Sequence, residues 1–230
     1  MNDTIYQAAA LIIPLVIAIV FHEVAHGYVA KLLGDPTAAD MKRLSLNPLR
    51  HVDPIGTIVL PGFLALIKAP VFGWAKPVPV ISERLRNPRY GMMLVAAAGP
   101  GSNLVLAAVG AVLLGLLSRS LSAPPLEGSP LHFLLLNLFN FLSINIFLAL
   151  FNLLPIPPFD GSHIVEGLLP RSLVPAFNGL RRYGFFLVLA LIVVLPQLIP
   201  GFDPVGKYLL PPVQWMIEHY LVLAQAVAGG

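Results

Sequence analysis

The run AAALIIPLVIAIVF at residues 8–21 contains no charged side chain and continues directly into HEVAHGYVAKLL. Crossing a hydrocarbon core of about 30 Å takes roughly 20 helical residues. A backbone in that environment must satisfy its own N–H and C=O groups, so helices and closed barrels are the available structures. Apolar stretches of suitable length lie at 5–33, 91–118, 131–153, 184–200 and 205–226. With 57% apolar and 11% charged residues, the chain reads as an all-α polytopic membrane protein of about five to six transmembrane helices. A sixth apolar stretch, 55–72, is interrupted by Pro54, Gly56, Pro61, Gly62, Lys68 and Pro70. It is expected to form a re-entrant or β-hairpin-like insertion after the first span.

Charge sets the orientation. Nine of the 14 Lys and Arg residues fall between Lys31 and Arg89, whereas the segment linking the spans at 91–118 and 131–153 holds only Arg119. By the positive-inside rule the 34–90 region is cytoplasmic and the N-terminus and the 119–130 loop lie outside. The net charge of +3 therefore reflects residues at the ends of spans, and no nucleic acid is expected as a partner. The start, MNDTIYQ, has no Lys or Arg, so the first span is expected to be retained rather than cleaved as a signal. There is no cysteine, which removes disulfides and thiolate metal ligands.

Ionisable groups inside a membrane segment are costly and mark a functional site. The first span holds three of them in HEVAH: His22, Glu23 and His26. On an α-helix residues i and i+4 lie about 40° apart around the axis, so the two imidazoles share a face, with Glu23 beside them. Two histidines so spaced can grip one Zn²⁺, and the intervening glutamate lies where it can take a proton from water. A catalytic zinc site has three protein ligands. The best third candidate is Asp160 in FNLLPIPPFDGSHIVEG, where prolines break an apolar helix and irregular backbone at membrane depth is tolerated if it lines a buried site. His163, Glu166 and His51 are the reserve ligands. The bland readings are buried polar residues joining helices and, for PPFDG, a helix-ending turn.

HEVAH together with NLLPIPPFDG, in that order and on separate apolar spans, resembles the site-2 protease family of intramembrane zinc metalloproteases. AAAGPGSN at 96–103 looks like the family's intervening glycine-proline-asparagine element, and GWAKPVPV at 73–80 looks like the strand-forming segment of its compact prokaryotic members. The resemblance covers residues 5 to about 165. It implies one Zn²⁺ per chain held by His22, His26 and Asp160, Glu23 as general base, and Asn152 near the scissile carbonyl or the outer shell of the metal. The implied substrates are transmembrane proteins, cut in or near their membrane segments, with the site towards the cytoplasmic half of a bacterial or archaeal membrane. The domain organisation expected is a single metalloprotease domain over 1–230, with its core at 5–165, an insertion at 34–90 and further spans at 184–226, and without the PDZ or cystathionine-synthase-like domains of many members.

Several alternatives stay open at this point. Asn152 and Asn103 could equally be interhelical hydrogen-bond donors. His51 and Asp53 could orient a ligand or cap the entry to the insertion. Residues 73–82, with Pro77 and Pro79 beside Val78 and Val80, could pair with substrate as an added strand or form a rigid surface loop. A metal-ion transporter using HEVAH as a transient site is the rival function, and an inactive scaffold is a third. The oligomeric state is not legible.

Overall fold

The computed structural model describes residues 3–59, 62, 63, 66 and 74–229. Its long elements are the helices α1 (Asp3–Leu32), α3 (Pro88–Arg119) and α4 (Pro130–Asn152). α2 (Thr37–Asp40) is a single turn, and after α4 come α5 (Asp160–Leu168), α6 (Val174–Arg181), α7 (Gly184–Leu198) and α8 (Leu210–Ala228). Their ends carry ordinary helix signals. Asn87 and Ser129 cap α3 and α4 by accepting the N–H of Tyr90 and His132, each followed by proline at the first helical position. α1 stops at Gly34, whose φ of +115° suits glycine, and α4 stops before the proline run at 155–158.

The packing is inside-out relative to a soluble bundle. On α1 the large residues Leu11, Ile12, Ile13 and Ile17 are exposed, while Ala10, Pro14, Ala18, His22, His26 and Ala30 are buried. Every fourth residue of α1 thus forms one ridge. α3 buries a matching series: Gly91, Val95, Gly99, Asn103, Ala107, Ala111 and Gly115. Ridges of small residues at this spacing let helices approach closely, which is how helices associate where hydrophobicity supplies little drive. α4 completes the bundle with Leu142, Asn145, Ile146 and Ala149, and α8 lays Val213 and Ala224 on the same core as Ala107 and Ala111.

Pro14 lies inside α1. A proline lacks an N–H, so the carbonyl four residues earlier is left without its helical partner. That carbonyl, Ala10 O, accepts a hydrogen bond from Asn140 Nδ2 of α4 at 2.9 Å.

Among the described residues three helices, α1, α3 and α4, are long and apolar enough to cross a membrane, and a fourth span is added if α6 and α7, bent by 64°, count as one. The sequence pattern pointed to five to six. α8 has the length but carries Gln214, Glu218, His219 and Gln225, which lower its hydropathy below that of a span. No strand occurs among the described residues. The hairpin expected in 55–72 lies partly outside the described residues; the part that is described includes a π-helical turn at Pro54–Val59. Residues 74–81 take no regular secondary structure and form no ladder. Alternating prolines explain this, because Pro77 and Pro79 have no amide to donate to a neighbouring strand.

Candidate metal centre

The buried ridge of α1 ends in HEVAH, and α5 begins directly opposite at Asp160. His22 Nε2 lies 3.1 Å and His26 Nε2 3.3 Å from Asp160 Oδ2, and the two Nε2 atoms are 3.0 Å apart. Both histidines are buried. Gly99 of α3 forms the floor. A Cβ there would run into the rings of both His22 and His26, so only a residue without a side chain leaves room for the pair.

Each imidazole is oriented from its far side. His26 Nδ1 lies 2.7 Å from Val95 O. A carbonyl can only accept, so the proton sits on Nδ1 and Nε2 presents its lone pair. His22 Nδ1 lies 2.6 Å from Asn103 Oδ1, an acceptor in the same sense. The 3.0 Å approach of the two Nε2 atoms is therefore not a hydrogen bond between neutral rings. Two lone pairs converge there on a carboxylate oxygen, and Asp160 Oδ2 is buried without a hydrogen-bond partner. Three acceptors facing one point form a site that could hold a cation. A tetrahedral ion with ligand bonds of about 2.1 Å has its ligand atoms about 3.4 Å apart, close to the 3.0 to 3.3 Å triangle found here. The donor set of two nitrogens and one oxygen suits zinc. These three residues are the one such cluster among the described residues.

Glu23 is partly buried beside the cluster and accepts a hydrogen bond on Oε2 from the Val78 N–H at 2.8 Å. Between Pro77 and Pro79 this is the one available amide, and a residue followed by proline is held extended. The segment is fixed at both ends. Arg43, itself buried, donates to Lys76 O at 2.8 Å, and Asp35 Oδ2 accepts from the Ile81 N–H at 2.6 Å. Asp35 also accepts from the backbone and hydroxyl of Thr37. The extended chain thus runs past the HEVAH helix and is tied to it at Glu23.

The other sequence candidates have their own partners. Asn152, in the last turn of α4, gives its Nδ2 to Leu148 O of its own helix at 2.9 Å. His51 Nε2 bonds Ser45 O at 2.7 Å. Asp53 Oδ1 accepts from the N–H groups of Ile55 and Gly56 at the start of the π-helical turn. His163 and Glu166 sit in α5 beside Arg181, which donates to Glu166 at 2.7 Å. Sequence reasoning missed Gly99, Asn145, Asp35 and Arg43. For Gly99 the usable signal was its place on the every-fourth-residue ridge; for Asp35 it was charge between the Gly34 and Pro36 breaks, and Arg43 gave no such signal.

The family comparisons agree with this chemistry. Residues 128–195 match the model of Peptidase family M50. A Bacillus subtilis protein named "Putative zinc metalloprotease YwhC" is 39% identical over 206 residues, spanning 88% of this chain and 84% of its own. A Mycolicibacterium smegmatis protein named "Putative zinc metalloprotease Rip2" is 28% identical over 214 residues, spanning 91% of this chain and 73% of its own. No solved structure gives a significant match. With its apolar helices of membrane length and its buried cluster of two histidines and an aspartate, the chain belongs to Peptidase family M50, the site-2 proteases, and is a zinc metalloprotease.

Proposed function

We propose that this metalloprotease hydrolyses peptide bonds in or near the transmembrane segments of membrane-protein substrates, with His22, His26 and Asp160 holding one zinc and Glu23 acting as general base. The observation that carries the reading is the position of the metal cluster. It is built on the buried ridge of a membrane-length helix, against the proline-broken end of another. The excess of Lys and Arg at 31–89 favours the cytoplasmic half for it, and the bent pair of α6 and α7 supplies the fourth membrane segment.

Bound zinc supplies a Lewis acid that polarises a carbonyl and makes water a nucleophile near neutral pH. Glu23 accepts the proton of the attacking water and passes it to the leaving amine. Its bond to Val78 N–H occupies one carboxylate oxygen and leaves the other for water. Asn152 has a second amide hydrogen beyond the one given to Leu148 O, and presents it to the substrate carbonyl as that oxygen gains charge. A helical substrate has its carbonyls engaged, so it must unwind to be cut, and the extended segment 74–81 receives it as an added strand through the backbone groups not bound to Glu23 or Asp35.

The transporter reading is disfavoured by how the polar groups are engaged. Asn103, Asn140, Asn145 and Asn152 are each committed to carbonyls or amides of the protein, whereas a permeation path needs ligands that exchange along its length. The deciding experiment incubates the purified protein with a panel of single-span membrane proteins, with and without a zinc chelator. Cleavage within or at the edge of a span, lost with the chelator and lost in Glu23→Gln, is the expected result. Cleavage confined to soluble, extramembrane peptides would overturn the proposal.

A further inference from the structure

Asn103 and Asn145 are both fully buried and belong to different helices, α3 and α4. An asparagine amide can be turned either way, and only its partners decide which end is oxygen. Asn145 Nδ2 lies 2.8 Å from Phe141 O, a carbonyl that can only accept, so Asn145 Oδ1 faces the other way. There it lies 2.8 Å from Asn103 Nδ2. Asn103 Nδ2 also meets Ala18 O, at 3.2 Å. Both amide hydrogens of Asn103 therefore have acceptors, and its Oδ1 is left for His22 Nδ1 at 2.6 Å.

The chain has one direction. It begins at a backbone carbonyl of α4, passes through two side-chain amides, and ends by requiring a proton on His22 Nδ1. His26 is fixed by a carbonyl directly, whereas His22, one turn earlier on α1, takes its acceptor from this relay. We propose that Asn103 and Asn145 are positioning residues that set the tautomer and ring orientation of His22, so that its Nε2 lone pair is aimed at the metal before the metal arrives. The proposal rests on the zinc reading of the cluster. It differs from simple interhelical hydrogen bonding, in which the amides hold α1, α3 and α4 together and the metal is indifferent to them.

The test is the zinc dissociation constant, from chelator competition on purified protein in detergent, with helicity and melting temperature measured on the same samples. His22→Ala and Asp160→Ala serve as references for the site itself. Asn103→Leu, which removes the acceptor, is expected to weaken zinc binding by about 10- to 100-fold, the usual effect of losing the partner of a metal-ligating histidine. Asn103→Asp keeps an oxygen towards Nδ1 and is expected to restore affinity even where it lowers the melting temperature. Asn145→Ala touches neither histidine and is expected to weaken zinc in the same direction by a smaller factor. Should Asn103→Leu fail to give a monodisperse helical protein, Asn145→Ala and Asn103→Asp are read alone. Wild-type affinity in folded Asn145→Ala overturns the relay, and wild-type affinity in Asn103→Leu also removes Asn103's role. If His22→Ala and Asp160→Ala hold zinc as the wild type does, it is the metal site, not the relay, that is wrong.

Discussion

Gly99→Ala adds one methyl group 2.6 Å from His22 Cε1 and closer still to the His26 ring. Ordinary contact begins at 3.4 Å, so the rings and the α3 backbone must separate by about 0.8 Å or more. Metal–ligand bonds tolerate only about 0.2 Å, and misplacement of reacting groups by about 1 Å can cost 10²-fold in rate. Alanine is otherwise the better helix former, by about 1 kcal/mol, so propensity alone predicts a more stable protein. Gly101→Ala makes the same chemical change two residues on, where nothing lies within 4 Å of the added carbon. The expected outcome is that Gly99→Ala folds but loses zinc affinity and proteolysis by about 100-fold each, while Gly101→Ala keeps both. Chelator competition and cleavage of a membrane substrate measure the two. Equal zinc affinity and activity in the two variants would refute the argument that the imidazoles rest against α3 at this position.

Three other substitutions separate the parts of the site. Glu23→Gln is expected to retain zinc and to lower turnover by about 10² to 10⁴, measured by metal content beside cleavage rate. Val78→Pro removes the amide that binds Glu23 and is expected to impair cleavage of a full transmembrane substrate at unchanged zinc content, and helix-breaking residues near the cut site of the substrate should speed cleavage. Burial opposes ionisation of Asp35, but hydrogen bonds from Thr37 and the Ile81 N–H and the charge of Arg84 outweigh it and hold its carboxyl below the ordinary value of 3.8. Its stabilisation is complete above that value and lost as pH falls through the lowered one, so the melting temperatures of wild type and Asp35→Asn should differ at neutral pH and converge in acid.

The spacing of His22 and His26 was legible because four residues nearly complete a helical turn, and that geometry survives in any α-helix. Asp160 was legible for a different reason: a carboxylate among prolines at the end of an apolar helix has few other uses. The partners of the histidines were not legible, because Asn103 and Asn145 reach them only through the crossing of three helices, and asparagines in apolar spans serve equally as simple links. Gly99 shows how such a residue could be found. α1 and α3 each carry small or polar residues at every fourth position, and the metal cluster lies where those two ridges meet. The proline-rich segment was recognised, but the pairing of the Val78 amide with Glu23 depends on the insertion folding back over α1. The hairpin-like alternative for 55–72 is not seen in its described part, where Pro54–Val59 is a π-helical turn, and most of the stretch lies outside the described residues.

The proline in α1 also bears on how the protein is assembled. Until α4 packs against α1, the Ala10 carbonyl opposite Pro14 has no donor, and a lone carbonyl in an apolar setting costs several kcal/mol. The first helix is therefore incomplete as an independent insertion unit, and the amide of Asn140, more than a hundred residues later in synthesis, closes the defect at a single rotational and vertical setting. Because that bond lies about three turns N-terminal to His22 on the same buried ridge, the docking register of α4 and the placement of His22 are joined: a chain that docks α4 out of register is left with both an open carbonyl and a displaced His22.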